Sequence, residues 1–190
     1  MFIYLLDNNP SMVAEWKRAF KGVSDVRVIC EDFATFMDEN NVECVVSPAN
    51  SYGFMDGGFD LAITEYFGDE LMEKVQRLIL KNYYGEQPVG TSLICRIPQT
   101  DKYLIHTPTM RVPSIIKDPM VVYHCMRSTM IKALNNGIGT IVIPAFGGKC
   151  GQLDYGVIAD LMREAYNQIT KAPFRLTWSY ALDRKLEDIE

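Results

Sequence analysis

Two short apolar, β-branched runs, Val42–Val46 and Thr140–Ile143, each open onto a glycine-rich loop, and each loop leads into a helical pattern. Strands that are separated by helices must lie in a sheet covered by helices. In such sheets ligands bind beyond the carboxyl ends of the strands. The two glycine-rich loops, Ser47–Gly58 and Pro144–Asp154, fall at that edge, so they constrain both the architecture and the place of any ligand.

The rest of the chain alternates in the same way. Phe2–Leu6 reads as a strand, and Asn9-Pro10-Ser11 opens a helix over Ser11–Phe20 with Met12, Trp16 and Phe20 on one face. Val26–Cys30 reads as a strand, Phe33–Glu39 as a short helix, and Leu61–Tyr84 as helical with a break at Gly68. Val89–Ile97 and Tyr103–His106 read as strands and Thr107–Asp118 as irregular. Met120–Asn135 and Tyr155–Ile169 are helical in pattern, and Phe174–Tyr180 reads as a closing strand. One domain is expected over residues 1–182, followed by a charged tail over 183–190. A length of 190 residues suits a single domain with a proper core.

Bulk properties exclude several function classes. No apolar run approaches the ~18–20 residues that cross a bilayer, and Met1–Asp7 lacks the basic start of a signal peptide. The net charge is −5 with no basic stripe, so no strong affinity for nucleic acid is expected. Five cysteines without a CxxC pair imply reduced thiols and a cytoplasmic setting. The two histidines, His106 and His124, are not spaced as a ligand pair with any cysteine, so no metal site is expected and no cofactor is called for.

Glycines let a backbone approach a ligand and aim its N–H groups at it, and a helix starting near Gly58 adds the positive end of its dipole. One such turn is weak evidence, and two after core strands fit a pocket that grips a diphosphate from both sides. The Gly-Lys-Ser/Thr ending of a Walker loop is missing, and the first strand runs into Asn-Pro-Ser rather than GxGxxG.

Three stretches together resemble the macrodomain family. Ser47-Pro48-Ala49-Asn50 followed by Asp56-Gly57-Gly58-Phe59-Asp60 stands where that family has Asn-Ala-Ala-Asn and a glycine-rich stretch. Pro144-Ala145-Phe146-Gly147-Gly148-Lys149-Cys150-Gly151 resembles its second phosphate loop, and Cys30-Glu31-Asp32-Phe33 resembles its adenine-binding step. The ten-residue step from Asn50 to Asp60 matches the paired Asn and Asp of the hydrolase branch. Ser47 stands in place of the family's first Asn and Glu31 in place of a Gly, and the second loop lacks the usual Ser-Thr-Gly wording.

The resemblance implies an α/β fold, a three-layer α/β/α sandwich around a central mixed sheet. It implies ADP-ribose or an ADP-ribosylated substrate as partner and hydrolysis of ADP-ribosyl derivatives as the activity. It makes Asn50 and Asp60 the catalytic pair: Asn50 on the distal ribose hydroxyls, Asp60 orienting water at the anomeric carbon. Ligand contacts would come from Asp32 and Phe33 at adenine, from Ser47, Ala49, Asn50, Gly57, Gly58 and Phe59, and from Ala145, Phe146, Gly147, Gly148, Lys149, Cys150 and Gly151. Asp154 and Arg111 are further candidates.

Each residue has a plain structural alternative. Asp32, Asn50, Asp60 and Asp154 could all be helix caps, Lys149 a solvated charge and His106 a core residue. Two rival functions stay open, a phosphatase on ADP-ribose 1″-phosphate and a non-catalytic reader of ADP-ribose. A structural use of the fold would fill the pocket with Phe54, Phe59 or Phe146.

Overall fold

The structure is a computed structural model that describes residues 1–183. Its elements are β1 (Phe2–Asp7), α1 (Pro10–Ala19), β2 (Val26–Cys30), α2 (Phe33–Glu39), β3 (Cys44–Ser47), α3 (Gly58–Phe67), α4 (Glu70–Tyr83), β4 (Leu93–Arg96), β5 (Tyr103–His106), α5 (Met120–Asn135), β6 (Thr140–Ile143), α6 (Tyr155–Thr170) and α7 (Trp178–Leu182). The strands form a six-stranded sheet in the order β2-β1-β6-β3-β5-β4. All neighbours pair in parallel except β4, which runs antiparallel to β5, so the sheet is mixed.

The strand residues alternate between two cores, as the pleat requires. Ile3 and Leu5 of β1, Cys44 and Val46 of β3, and Ile141 and Ile143 of β6 face a core shared with α1, α5 and α6. Leu6, Val45, Val142 and Leu104 face the other, shared with α2, α3 and α4. The result is three layers, helices on both faces of the sheet.

Local chemistry sets the helix ends. The Asn9 side chain accepts from Ser11 N–H, and Pro10 occupies the first turn, where its missing N–H costs nothing. The 61–84 helical pattern divides at Gly68, whose φ of +92° ends α3 before α4 begins.

The expectation of a closing strand over Phe174–Tyr180 is overturned. The end of that segment is the short helix α7, capped by the Thr177 side chain on Tyr180 N–H. Phe174, Leu176 and Trp178 repeat with the period of a strand, yet all three are exposed, so the pattern buries nothing. The position beside β6 is held by β1 from the other end of the chain. The tail expected over 183–190 lies, apart from Asp183, outside the described residues. Among the described residues, no helix is long and apolar enough to cross a membrane.

Candidate functional site

Five parallel strands end at the same edge of the sheet, and the loops that follow them enclose a cavity of about 730 Å³, within the range of roughly 300–1,000 Å³ usual for small-molecule sites. Asp7–Asn9 follow β1, Glu31–Phe33 follow β2, Pro48–Asp60 follow β3, Thr109–Pro113 follow β5 and Pro144–Gly151 follow β6. In the spatial order of the strands, the cavity runs from Asp32 and Asp7, past the second glycine loop, to Asn50 and Asp60.

The start of α3 is open. Gly57 occupies its N-cap position and offers no side-chain acceptor, so the first N–H groups have no cap. Gly57, Gly58, Phe59 and Asp60 all line the cavity. The start of α6 is closed by contrast: Asp154 Oδ1 accepts from Gly156 N–H at 2.8 Å and Val157 N–H at 3.1 Å. Asp154 does not line the cavity.

The two loops owe their shapes to particular glycines. Gly53 has φ +71°, and a Cβ there would lie 2.8 Å from Ile79 Cδ1. A Cβ on Gly151 would lie 2.5 Å from Gly147 O, a backbone atom that cannot step aside. Lys149 reaches from the second loop toward the first, its Cδ 4.0 Å from where a Gly58 Cβ would stand.

Asn50 is buried, and its amide is engaged within its own loop. Oδ1 accepts from Tyr52 N–H at 3.1 Å and Phe54 N–H at 3.3 Å, and Nδ2 donates to Phe54 O at 2.9 Å. The side chain thus folds the loop that it begins, while still lining the cavity.

Asp60 sits in the first turn of α3 and is only 8% exposed. Ser47 Oγ donates to its Oδ1 at 2.6 Å. Burial pushes the carboxyl up to about 7, against the opposing pull of the Ser47 bond, and nearby Asp56 adds to the rise. A carboxyl poised near neutrality in a cavity has the acid–base range that proton transfer requires.

At the other end, Asp32 caps α2. Thr35 donates to it twice, from N–H at 3.0 Å and from Oγ1 at 2.6 Å, and these bonds, the hydroxyl first, hold its carboxyl below the usual range. Phe33 lines the cavity and packs edge-on against Phe59 at 5.2 Å between ring centres. Burial raises the Asp7 carboxyl, while the Asn9 N–H and the charge of Lys149 draw it back.

Of the residues expected at a ligand, Asp32, Phe33, Ala49, Asn50, Gly57, Gly58, Phe59, Asp60, Ala145, Gly147, Gly148, Lys149, Cys150 and Gly151 line this one cavity. Ser47 stands behind Asp60. Phe146 is fully buried in the core beneath the loop and does not fill the cavity.

Arg111 also stands outside it, with Nε on Glu86 Oε1 at 2.8 Å and its guanidinium 5.3 Å from the Tyr52 ring centre. The irregular segment around it ties both loops down. Ser51 N–H donates to Met110 O and Arg111 O, Thr109 N–H donates to Ala49 O, and Ile116 N–H donates to Gly151 O. In the sequence this segment is marked only as irregular, and its Thr109, Met110 and Pro113 also line the cavity.

His106 is a core residue of β5. Its Nδ1 meets Gln87 Oε1 at 2.8 Å, and burial pushes it down to about 3, so the ring is neutral.

A family model described as Macro domain matches residues 46–162. An uncharacterized protein of Aeropyrum pernix is 31% identical over 127 residues, which cover 65% of this chain and 61% of that protein. The chain therefore spans less than two thirds of that relative. Among solved structures, the macrodomain of Mycobacterium tuberculosis DarG superposes with a TM-score of 0.59 at 19% identity, covering 68% of this chain and 84% of the other. An Oceanobacillus iheyensis macrodomain with ADP gives 0.56 at 21% identity, covering 66% and 68%. These two likenesses concern the fold.

Proposed function

The chain belongs to the macrodomain family, and from that membership we propose that its cavity binds ADP-ribose and that the protein hydrolyses ADP-ribosyl derivatives. The observation that carries the binding is the uncapped start of α3, which faces the cavity opposite the second glycine loop. Free N–H groups and the helix dipole together favour a phosphate there. The related Oceanobacillus iheyensis structure, described as holding ADP, supports a diphosphate as the central group.

The hydrolysis rests on Asp60. The nucleotide would extend from Asp32 at β2 to the distal ribose beside Asn50 and Asp60. A water attacks the anomeric carbon, its oxygen forming the new bond as the bond to the leaving group breaks. Asp60 accepts the proton of that water, and the leaving group departs with the bonding electrons and takes up a proton. The carboxylate also steadies the positive charge that develops on the ribose. Asn50 acts by folding the loop that carries the distal end.

Non-catalytic binding is the second reading, and the engagement of the Asn50 amide within its own loop favours it. The two part on turnover. With an ADP-ribosylated protein or nucleotide as substrate, hydrolysis predicts release of ADP-ribose by the wild type and a fall of about 100-fold or more in Asp60→Asn. A folded wild type that binds ADP-ribose and releases none from any such substrate is a reader.

A further inference from the structure

Charge along the cavity is segregated. Among the described residues, six carboxylic residues line it, Asp7, Glu31, Asp32, Asp56, Asp60 and Glu65, against one basic residue, Lys149. Five of them are ordered by the sheet, and Glu65 lies farther along α3. Asp7, Glu31 and Asp32 follow β1 and β2 at one end, and Asp56 and Asp60 belong to the loop and helix that follow β3 toward the other. Lys149 follows β6, between them, and its side chain approaches Gly58 at the open start of α3. Lys149 and the uncapped start of α3 therefore place positive potential between the pair Glu31 and Asp32 and the pair Asp56 and Asp60.

We propose that this arrangement selects ligands by where their charge lies, taking a central diphosphate whose two outer ends are uncharged or cationic and rejecting a phosphate on either end. The inference rests on the reading that ADP-ribose lies along the sheet with its base at Asp32, and it narrows the substrate class within that reading. Compounds of ADP-ribose through an amine, amide, base or neutral ester at the distal anomeric carbon fit. A 1″-phosphate brings up to two negative charges against Asp56 and Asp60. A phosphate on the 2′ hydroxyl of the adenosine brings them against Glu31 and Asp32. Among the described residues Lys149 is the one cation of the lining, and it acts on Asp7 as well as lying near Gly58.

Calorimetric titration of the folded protein with ADP-ribose, ADP-ribose 1″-phosphate and ADP-ribose 2′-phosphate, at pH 8 and fixed low salt, tests the idea. Each added phosphate is expected to weaken binding by about tenfold or more, the scale of like charges a few ångströms apart in a partly wet site. The ratio of affinities is the quantity read. Asp56→Asn should shrink the ratio for the 1″-phosphate and Glu31→Gln that for the 2′-phosphate, and added salt should shrink both. A 1″- or 2′-phosphate that binds as tightly as ADP-ribose overturns the proposal while leaving the ADP-ribose reading intact. A discrimination that neither substitution nor salt alters also overturns it. Failure of all three ligands to bind removes the ADP-ribose reading, and this inference with it.

Discussion

Ser47 Oγ donates to Asp60 Oδ1 across 2.6 Å and so joins the last residue of β3 to the first turn of α3. The bond spans thirteen positions of chain, and the whole first glycine loop lies between its ends. It holds a buried carboxyl at the cavity wall that burial alone would drive still further toward its neutral form.

Asp60 gives stability a particular pH dependence. Folding raises its carboxyl from 3.8 to about 7, so between those values the native state holds a proton that the unfolded chain has released. Asp60's own contribution to stability therefore falls as pH rises through that window and levels off above it, while buried neutral His106, drawn from 6.5 down to about 3, contributes the opposite slope between those values. Asp60→Asn removes the Asp60 contribution. Thermal melts of the two proteins should differ by an amount that moves in the variant's favour from pH 4 to pH 8, by at most about 4 kcal/mol. A difference between wild type and variant that stays constant across the window contradicts this.

Ser47→Ala leaves Oδ1 without its donor. The lost bond favours the ionised form, so Asp60 should titrate higher still. The acid limb of the pH–rate profile should move to higher pH, and stability should drop by about 1–3 kcal/mol. An unchanged profile would detach Ser47 from Asp60.

Gly151→Ala forces a Cβ to within 2.5 Å of Gly147 O and 2.6 Å of Ile116 Cδ1. The second loop must shift, at a cost of about 1–3 kcal/mol, and with it the N–H groups expected at the diphosphate. Chemical denaturation and ligand titration should both report loss.

Asp154→Ala and Arg111→Ala should spare the ligand. Asp154 caps α6, and its removal should lower stability by about 1 kcal/mol with ADP-ribose affinity unchanged. Arg111 pairs with Glu86 outside the cavity and should likewise leave affinity unchanged. A large loss of affinity in either variant would place that side chain at the ligand.

The sequence was legible where local pattern and burial agree. The runs Val26–Cys30, Tyr103–His106 and Thr140–Ile143 are strands because their side chains pack against the sheet's neighbours and the covering helices. The glycine loops announced the cavity because glycine takes the φ of +71° at Gly53 without strain, and the backbone contact at Gly151 leaves no room for a Cβ. Phe174–Tyr180 misled because alternation tells of a strand only if a sheet edge receives it. Asp32, Asn50, Asp60 and Asp154 look alike as short polar residues near helix starts. Which of them caps a helix, folds a loop or stands buried at a cavity wall depends on partners that spacing does not reveal. The Ser47–Asp60 and Glu86–Arg111 pairs, separated by 13 and 25 positions, are tertiary in origin.

Calorimetric titration of the folded wild-type protein with ADP-ribose tests the central claim most directly. A saturable, one-to-one heat of binding that Gly151→Ala weakens and Arg111→Ala spares is the predicted result. No heat of binding and no ligand-induced rise in melting temperature at millimolar ADP-ribose would contradict it.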